Sequence, residues 1–182
     1  TSHRFVSAAL AETVGKDIKD LKIISCHLGN GSSITAIKGG KSIDTTMGFT
    51  PLDGVLMGTR TGSVDPSAVT FVAQKHGFTP NEMSDYMNKK SGFLGLSGVS
   101  SDNREVSAAA AHGDKRACLV NEMLAYQIKK DIGAYTAAMN GVDAIIFTGG
   151  IGENDPPTRE NSCSDLDFFG IKIDKELNKT VR

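Results

Sequence analysis

Residues 21 to 46 read LKIISCHLGNGSSITAIKGGKSIDTT and contain three short segments that favour β-structure. Residues 21 to 27 are mostly apolar and β-branched, and 32 to 37 and 42 to 46 are shorter alternating segments. Asn30–Gly31 separates the first two segments, and Gly39–Gly40 separates the last two. Because such dipeptides favour tight hairpins, we predict three strands in an antiparallel meander.

A fourth apolar segment, VDAIIFT at 142 to 148, leads directly into the glycine-rich stretch GGIGEN at 149 to 154. It lacks polar alternation, which is typical of a strand buried on both faces. Capping residues, helical periodicity and glycine stops predict helices over 2–14, 66–76, from 80 onward, 103–112, 115–139 and 156–169, with a short strand at 171–173. The glycine-rich segments 47–65 and 91–101 are predicted to be loops.

This order of elements predicts an α/β domain whose mixed β-sheet is flanked by helices, as in actin-like or ribonuclease-H-like lobes. A Rossmann domain would place its glycine turn after the first strand and continue straight into a helix, which this chain does not do. The 182 residues fit a single domain covering 1–182.

The composition of the chain argues against several classes of protein. Twenty Lys and Arg against 21 Asp and Glu give a net charge of −1 without a block of like charge, which excludes the pattern of a nucleic-acid binder or a polybasic membrane anchor. No apolar run approaches the 18 or so residues that a bilayer requires. The three cysteines are far apart and the four histidines lack metal-ligand spacing, so we predict a reducing compartment and no metal site held by this chain alone.

The segment HLGNGSS at 27 to 33 is the first candidate binding site. Gly29 and Gly31 carry no side chains, which leaves backbone N–H groups and the two serine hydroxyls to surround anionic oxygens. The simpler alternative is an ordinary hairpin turn. The segment lacks the lysine of a Walker P-loop.

Three further segments contain candidate binding or catalytic residues. Arg60 lies among glycines and threonines in the loop 47–65, where a fixed guanidinium could neutralise a phosphoryl group or could simply face solvent. The stretch 149–154 follows the end of a strand, where open α/β sheets bind ligands and a flat base can lie on small residues. Asp102 is explained as a helix cap, and Arg104 either stacks on a base or faces water.

Together, HLGNGSS at 27–33, MGFTPLDGVLMGTRTGSVDP at 47–66 and FTGGIGEN at 147–154 resemble the acetate kinase family in wording, order and spacing. That family is related to sugar kinases, actin and chaperone ATPases. The resemblance implies that the chain is most of the carboxyl-terminal, nucleotide-binding lobe, with the amino-terminal lobe and the extreme carboxyl terminus lying outside it. Thr1 is not an initiator Met, so we expect a fragment.

The resemblance also implies an activity and a set of sites. The activity is reversible transfer of the ATP γ-phosphoryl group to acetate, giving acetyl phosphate and ADP, by a cytoplasmic homodimer that uses Mg²⁺ held mostly by residues outside this chain. Arg60 would be catalytic and Pro51 would line the pocket for the acetate methyl group. The nucleotide-binding residues would be His27, Leu28, Gly29, Asn30, Gly31, Asp102, Asn103, Arg104, Gly150, Ile151, Gly152, Glu153 and Asn154.

The family's catalytic histidine precedes Thr1, and Asn103 stands where relatives often carry an aromatic or apolar residue. The chain alone is therefore expected to be inactive. Propionate or butyrate kinase activity, and a non-catalytic actin-like nucleotide-binding module, are the alternatives.

Overall fold

The structure of the chain is a computed structural model that describes residues 2–181. Its helices are α1 (Ser2–Val14), α2 (Pro66–His76), α3 (Pro80–Lys89), α4 (Gly92–Ser97), α5 (Asn103–Ala111), α6 (Lys115–Met139), α7 (Gly149–Asn154), α8 (Pro156–Cys163) and α9 (Lys175–Thr180). Its strands are β1 (Lys22–Leu28), β2 (Ser32–Lys38), β3 (Lys41–Thr45) and β4 (Ala144–Thr148). Within this range, no helix has both the length and the apolar character needed to span a bilayer.

The four strands form one mixed sheet in the order β3-β2-β1-β4. The predicted meander β1-β2-β3 is antiparallel, whereas β4 runs parallel to β1 with His27 opposite Thr148. Because parallel strands end at the same edge of a sheet, the segments that follow β1 and β4 emerge side by side. The sheet confirms the predicted α/β class.

Helices cover both faces of the sheet. The stripe predicted on α6, which includes Val120, Leu124, Ile128 and Ile132, is fully buried in a core that it shares with Ile24, Cys26 and Leu28 of β1. A smaller cluster on the other side joins Ala11 of α1 to Leu21, Ile23 and Ile37. This apolar burial on both faces holds β1 rigidly at the centre of the sheet.

Parts of the sequence prediction are wrong. The predicted loop 91–101 contains α4, because Phe93 and Leu94 donate their N–H groups to the carbonyls of Met57 and Gly58 in the distant loop 47–65. The predicted glycine turn 149–154 is the short helix α7. The predicted helix 156–169 stops at Cys163, because Ser164 is extended and Asp165 has a φ of 56°.

Two predicted strands also differ. Residues 171–173 form no strand, since they pair with no other strand in the part of the chain that the structure describes. The segment predicted to be buried on both faces is only half-buried as β4. It has β1 on one side and no strand on the other within residues 2–181.

Candidate functional site

The two glycine-rich segments meet at one edge of the sheet. Gly149 follows β4 with a φ of 79°, and a Cβ atom there would lie 2.6 Å from the carbonyl oxygen of Leu28 at the end of β1. Only glycine permits both this backbone conformation and this approach. The side chain of Glu153 then fixes the junction, because its Oε1 accepts hydrogen bonds from the Gly149 N–H at 3.1 Å and the Thr148 hydroxyl at 3.2 Å.

The turn after β1 presents backbone donors. Ser32 accepts from the Gly29 N–H at 3.1 Å and donates to the Gly29 carbonyl at 3.0 Å, which keeps the turn tight. Within residues 2–181, the N–H groups of Asn30 and Gly31 have no hydrogen-bond partner. These two amides are therefore available to an anion.

The expectation that both serine hydroxyls would be free is wrong. Ser32 is occupied within the turn, and the Ser33 hydroxyl bonds to Nε2 of His3 at 2.8 Å. The other nitrogen of His3 contacts Ser25 Oγ at 2.9 Å. His3 thereby ties α1 to β1 and β2, and burial together with the neighbouring His27 lowers the pKa of its imidazole.

Arg60 lies against the same turn. A Cβ atom on Gly31 would be 3.2 Å from Nη1 of Arg60, and this nitrogen donates to the Pro51 carbonyl at 3.3 Å. The loop is anchored beside the turn by a hydrogen bond of 3.1 Å from the Gly58 N–H to the Asn30 carbonyl. No carboxylate among residues 2–181 lies within ion-pair distance of Arg60. Its guanidinium thus forms no ion pair with the described part of the chain.

A cleft of about 650 Å³ opens beside these turns. This volume is within the usual range of small-molecule sites. Eight predicted nucleotide-binding residues line it, together with two residues that the sequence did not suggest. The lining residues are Gly29, Asn30, Asp102, Asn103, Arg104, Gly150, Ile151 and Asn154, joined by Ser107 and Asp155.

Five other predicted nucleotide-binding residues do not line the cleft. They are His27, Leu28, Gly31, Gly152 and Glu153. Leu28 is fully buried in the core, and Nδ1 of His27 is buried without a partner in the described structure. The Glu153 carboxylate already accepts hydrogen bonds from Thr148 and Gly149. Their roles as nucleotide contacts stay predictions.

Asp102 and Arg104 form one unit at the entrance to α5. Asp102 caps the helix by accepting from the Arg104 N–H at 2.9 Å, and Nη2 of Arg104 donates to Oδ2 of Asp102 at 2.6 Å. Hydrogen bonds from the Arg104 side chain and backbone lower the pKa of Asp102 to about 2. The Arg104 side chain is 89% exposed, so its guanidinium plane remains open to a ligand.

Asp155 is the residue that sequence reasoning missed. Its Oδ2 accepts from Nδ2 of Asn103 at 2.8 Å and from the Thr158 hydroxyl at 2.9 Å, so it joins the two walls of the cleft and caps α8. The signal was the run Asp155-Pro156-Pro157, an N-cap followed by prolines in the first turn.

A second polar cavity, of about 330 Å³, shares no lining residue with the cleft. It lies beside α6 and includes Lys130, Asp131 and Tyr135. Burial raises the pKa of Asp131 to about 6, while the positive charge of Lys130 opposes the shift and the carboxylate of Asp44 adds to it. No metal-binding group of three or more His, Cys, Asp or Glu side chains occurs in the described range.

Curated proteins with similar sequences are acetate kinases. The chain is 58% identical over 180 residues to an acetate kinase of Thermoanaerobacter pseudethanolicus, and 56% identical over 184 residues to one of Thermotoga maritima. These alignments cover 98% and 100% of this chain but only 45% and 46% of the relatives. The chain therefore spans about half the length of the curated relatives it matches.

Two solved structures also match almost the whole of this chain. The crystal structure of Porphyromonas gingivalis acetate kinase matches with a TM-score of 0.97 and 50% identity, over 100% of this chain and 45% of that one. A propionate kinase from Francisella tularensis matches with a TM-score of 0.91 and 44% identity, over 98% of this chain and 46% of that one. These matches confirm the actin-like α/β prediction. Because the family model for the acetokinases matches residues 1–182, this chain belongs to the acetokinase family.

Proposed function

We propose that the chain is most of the carboxyl-terminal, nucleotide-binding lobe of an acetate kinase, which reversibly transfers the ATP γ-phosphoryl group to acetate. The observation that carries the proposal is that Arg60 lies against the turn after β1, and that this turn lines one cleft together with the segment 149–154, although Arg60 itself does not line it. Since the chain spans about 45% of the length of its relatives, the rest of the acetate site beyond Pro51 and the rest of the catalytic machinery are assigned to the remaining polypeptide.

The proposed reaction is an in-line displacement. An acetate oxygen forms a bond to the γ-phosphorus while the bond to the β–γ bridging oxygen breaks, and that electron pair leaves with ADP. A carboxylate is already deprotonated at neutral pH, so the attack needs no general base. Catalysis then depends on positioning and on neutralising charge on the equatorial oxygens.

Arg60 would supply that neutralisation. Its guanidinium has no carboxylate partner in the described range and lies beside Gly31, whose N–H would donate to phosphate together with that of Asn30. The bond from Arg60 to the Pro51 carbonyl holds Pro51 nearby, which supports a wall for the acetate methyl group next to the reacting phosphoryl group. Both features support a reacting end of the substrates at the turn after β1.

The adenosine end would lie farther along the cleft. Arg104 offers an exposed guanidinium plane for a base, and the small residues of α7 line the opposite wall. Mg²⁺ would arrive with the nucleotide as MgATP, because the described residues provide no metal-ligand cluster and Mg²⁺ is commonly held through substrate phosphates.

We further propose a cytoplasmic homodimer. Leu119 and Tyr126 leave 53% and 63% of their surface exposed on α6, which supports contact with a second copy through this helix. The described cysteines are free thiols, as a reducing compartment maintains them.

The test uses the full-length protein that carries this chain and traps acetyl phosphate as its hydroxamate. Arg60→Ala is expected to lower kcat by about a thousandfold or more, because a guanidinium that stabilises a phosphoryl-transfer transition state contributes this much. ATP affinity measured by calorimetry is expected to change far less. Arg104→Ala is the matched control and should instead weaken ATP binding. Undiminished turnover by Arg60→Ala with normal ATP binding would refute the mechanism.

Propionate is the second candidate acceptor, favoured by the 44% identity to the Francisella tularensis propionate kinase. A pocket that discriminates one methylene contributes only about 1–3 kcal/mol. Comparing kcat/KM for acetate, propionate and butyrate separates these activities. A full-length protein that binds ATP but phosphorylates none of the three would indicate a non-catalytic nucleotide-binding module.

A further inference from the structure

Arg159 is a buried cation without a counter-ion in the described structure. It lies in α8 and only 6% of its surface is exposed, yet no carboxylate of residues 2–181 lies within ion-pair distance. A buried charge is expensive unless hydrogen bonds satisfy it. The bonds that Arg159 makes therefore indicate which contacts justify its burial.

Those bonds join α7 to α9. Nη1 of Arg159 donates to the carbonyls of Gly152 at 2.9 Å and Glu153 at 2.8 Å, near the carboxyl end of α7. Nε and Nη2 donate to the side-chain and backbone oxygens of Asn178 at 2.7 and 2.6 Å. Asn178 is 4% exposed and donates to the Pro156 carbonyl at 2.9 Å, which closes the network.

The helix held by this network needs external support. With six residues, α7 is far too short to be stable in isolation, and its final carbonyls have no partner within the helix. A guanidinium at the carboxyl end of a helix satisfies these carbonyls and interacts favourably with the helix dipole. Because α7 carries Gly150, Ile151 and Asn154 of the cleft, its placement sets the shape of that wall.

We propose that Arg159, held in place by Asn178, is a positioning residue that sets α7 for the adenosine part of the nucleotide. The proposal rests on the proposed function. Neither side chain lines the cleft, so both act through α7. The network couples α9, which lies outside the cleft, to nucleotide affinity.

A positioning role predicts a selective kinetic change in the full-length enzyme. Arg159→Lys retains the charge but cannot donate to both α7 carbonyls and to Asn178, because an ammonium lacks the planar fork of a guanidinium. We expect KM for ATP to rise about tenfold, the factor that corresponds to the loss of one charge-assisted hydrogen bond. At saturating ATP, kcat and KM for acetate should stay within about twofold of the wild type, since the β1 turn and Arg60 are untouched.

Arg116→Lys is the matched control. Arg116 belongs to α6 and donates to carbonyls near the carboxyl end of the short helix α4, those of Leu96 at 2.7 Å and Gly95 at 3.0 Å. It does not line the cleft. It should lower the melting temperature without changing KM for ATP. An equal rise in KM for ATP in both variants, or an unchanged KM in Arg159→Lys, would overturn the proposal.

Asn178 provides a second pair of variants if Arg159→Lys does not fold. Asn178→Leu removes the acceptor for Nε and should raise KM for ATP several-fold, whereas Asn178→Asp keeps that acceptor, loses only the donor to the Pro156 carbonyl, and should raise KM less. Wild-type values in Asn178→Leu would contradict the coupling. ATP affinity from calorimetry is measured on every variant, so a wild type that binds ATP without making acetyl phosphate refutes the proposed function and still tests the role of Arg159.

Discussion

The substitution Gly149→Ala tests whether the contact between the two glycine-rich segments holds the cleft together. The added methyl group would lie 2.6 Å from the Leu28 carbonyl oxygen and 2.9 Å from its carbonyl carbon. Both atoms belong to the backbone of the central strand, which is buried on both sides and cannot move cheaply. The residue also has a φ of 79°, which L side chains adopt only with strain.

The expected destabilisation follows from these two effects. The positive φ costs about 1–2 kcal/mol for alanine, and forcing a methyl group into packed backbone costs about 1–3 kcal/mol. Together they should lower the free energy of unfolding by about 3 kcal/mol, equivalent to about 10 °C in melting temperature for a chain of this length. Separation of the two segments should also weaken ATP binding by about tenfold.

The neighbouring Gly150 is the matched control. A Cβ atom there meets nothing within 4 Å, and its φ is not positive, so Gly150→Ala should stabilise α7 by about 0.5–1 kcal/mol. The chain contains no Trp, so urea unfolding is followed by far-ultraviolet circular dichroism and ATP binding by calorimetry. Because Gly150 itself lines the cleft, it is a control for stability only, and the reasoning fails if the two alanine variants unfold with the same free energy.

Three further changes test other parts of the structure. Burial raises the pKa of Asp131 to about 6, so its ionised form is disfavoured in the fold. The free energy of unfolding should therefore decrease as the pH rises from about 4 to about 6. Asp131→Asn should therefore stabilise the chain at pH 8 by about 1 kcal/mol, a value reduced for partial exposure, and give no gain at pH 3 in thermal unfolding. Asp155→Ala removes the cap of α8 and the bond to Asn103, so calorimetry should show ATP binding weakened several-fold. Thr79→Ala breaks the capping box of α3 and should lower stability by about 1 kcal/mol in urea unfolding, while ATP affinity stays unchanged.

Locally encoded elements were predicted well. Helix α2 begins after Asp65 and Pro66 and ends at Gly77, and α3 begins with the capping box of Thr79, as their sequences indicate. The strands β1 to β3 follow from alternation and glycine dipeptides in the same way. Such signals act between residues a few positions apart, so the sequence alone displays them.

The elements that depend on distant contacts were predicted poorly. Helix α4 exists because its first amides bond to the loop around Met57, more than 30 positions away. Residues 171–173 have a strand-like composition but no strand to pair with in the described range. Neither outcome follows from local propensity, because a backbone N–H takes whichever partner the tertiary fold provides.

The sequence by itself indicated the family, the succession of the strands along the chain and the glycine-rich segments beside which a nucleotide site is proposed, because these are properties of neighbouring residues and of motif identity. Only the tertiary structure decided that Leu28 touches Gly149, that Gly31 lies under Arg60, and that Asp155 and Arg159 support the cleft. Each of these contacts joins two different elements of the fold, either by close approach of atoms or by a hydrogen bond. The contact between Leu28 and Gly149 depends on the parallel pairing of β1 with β4, which places two strand ends at one edge of the sheet.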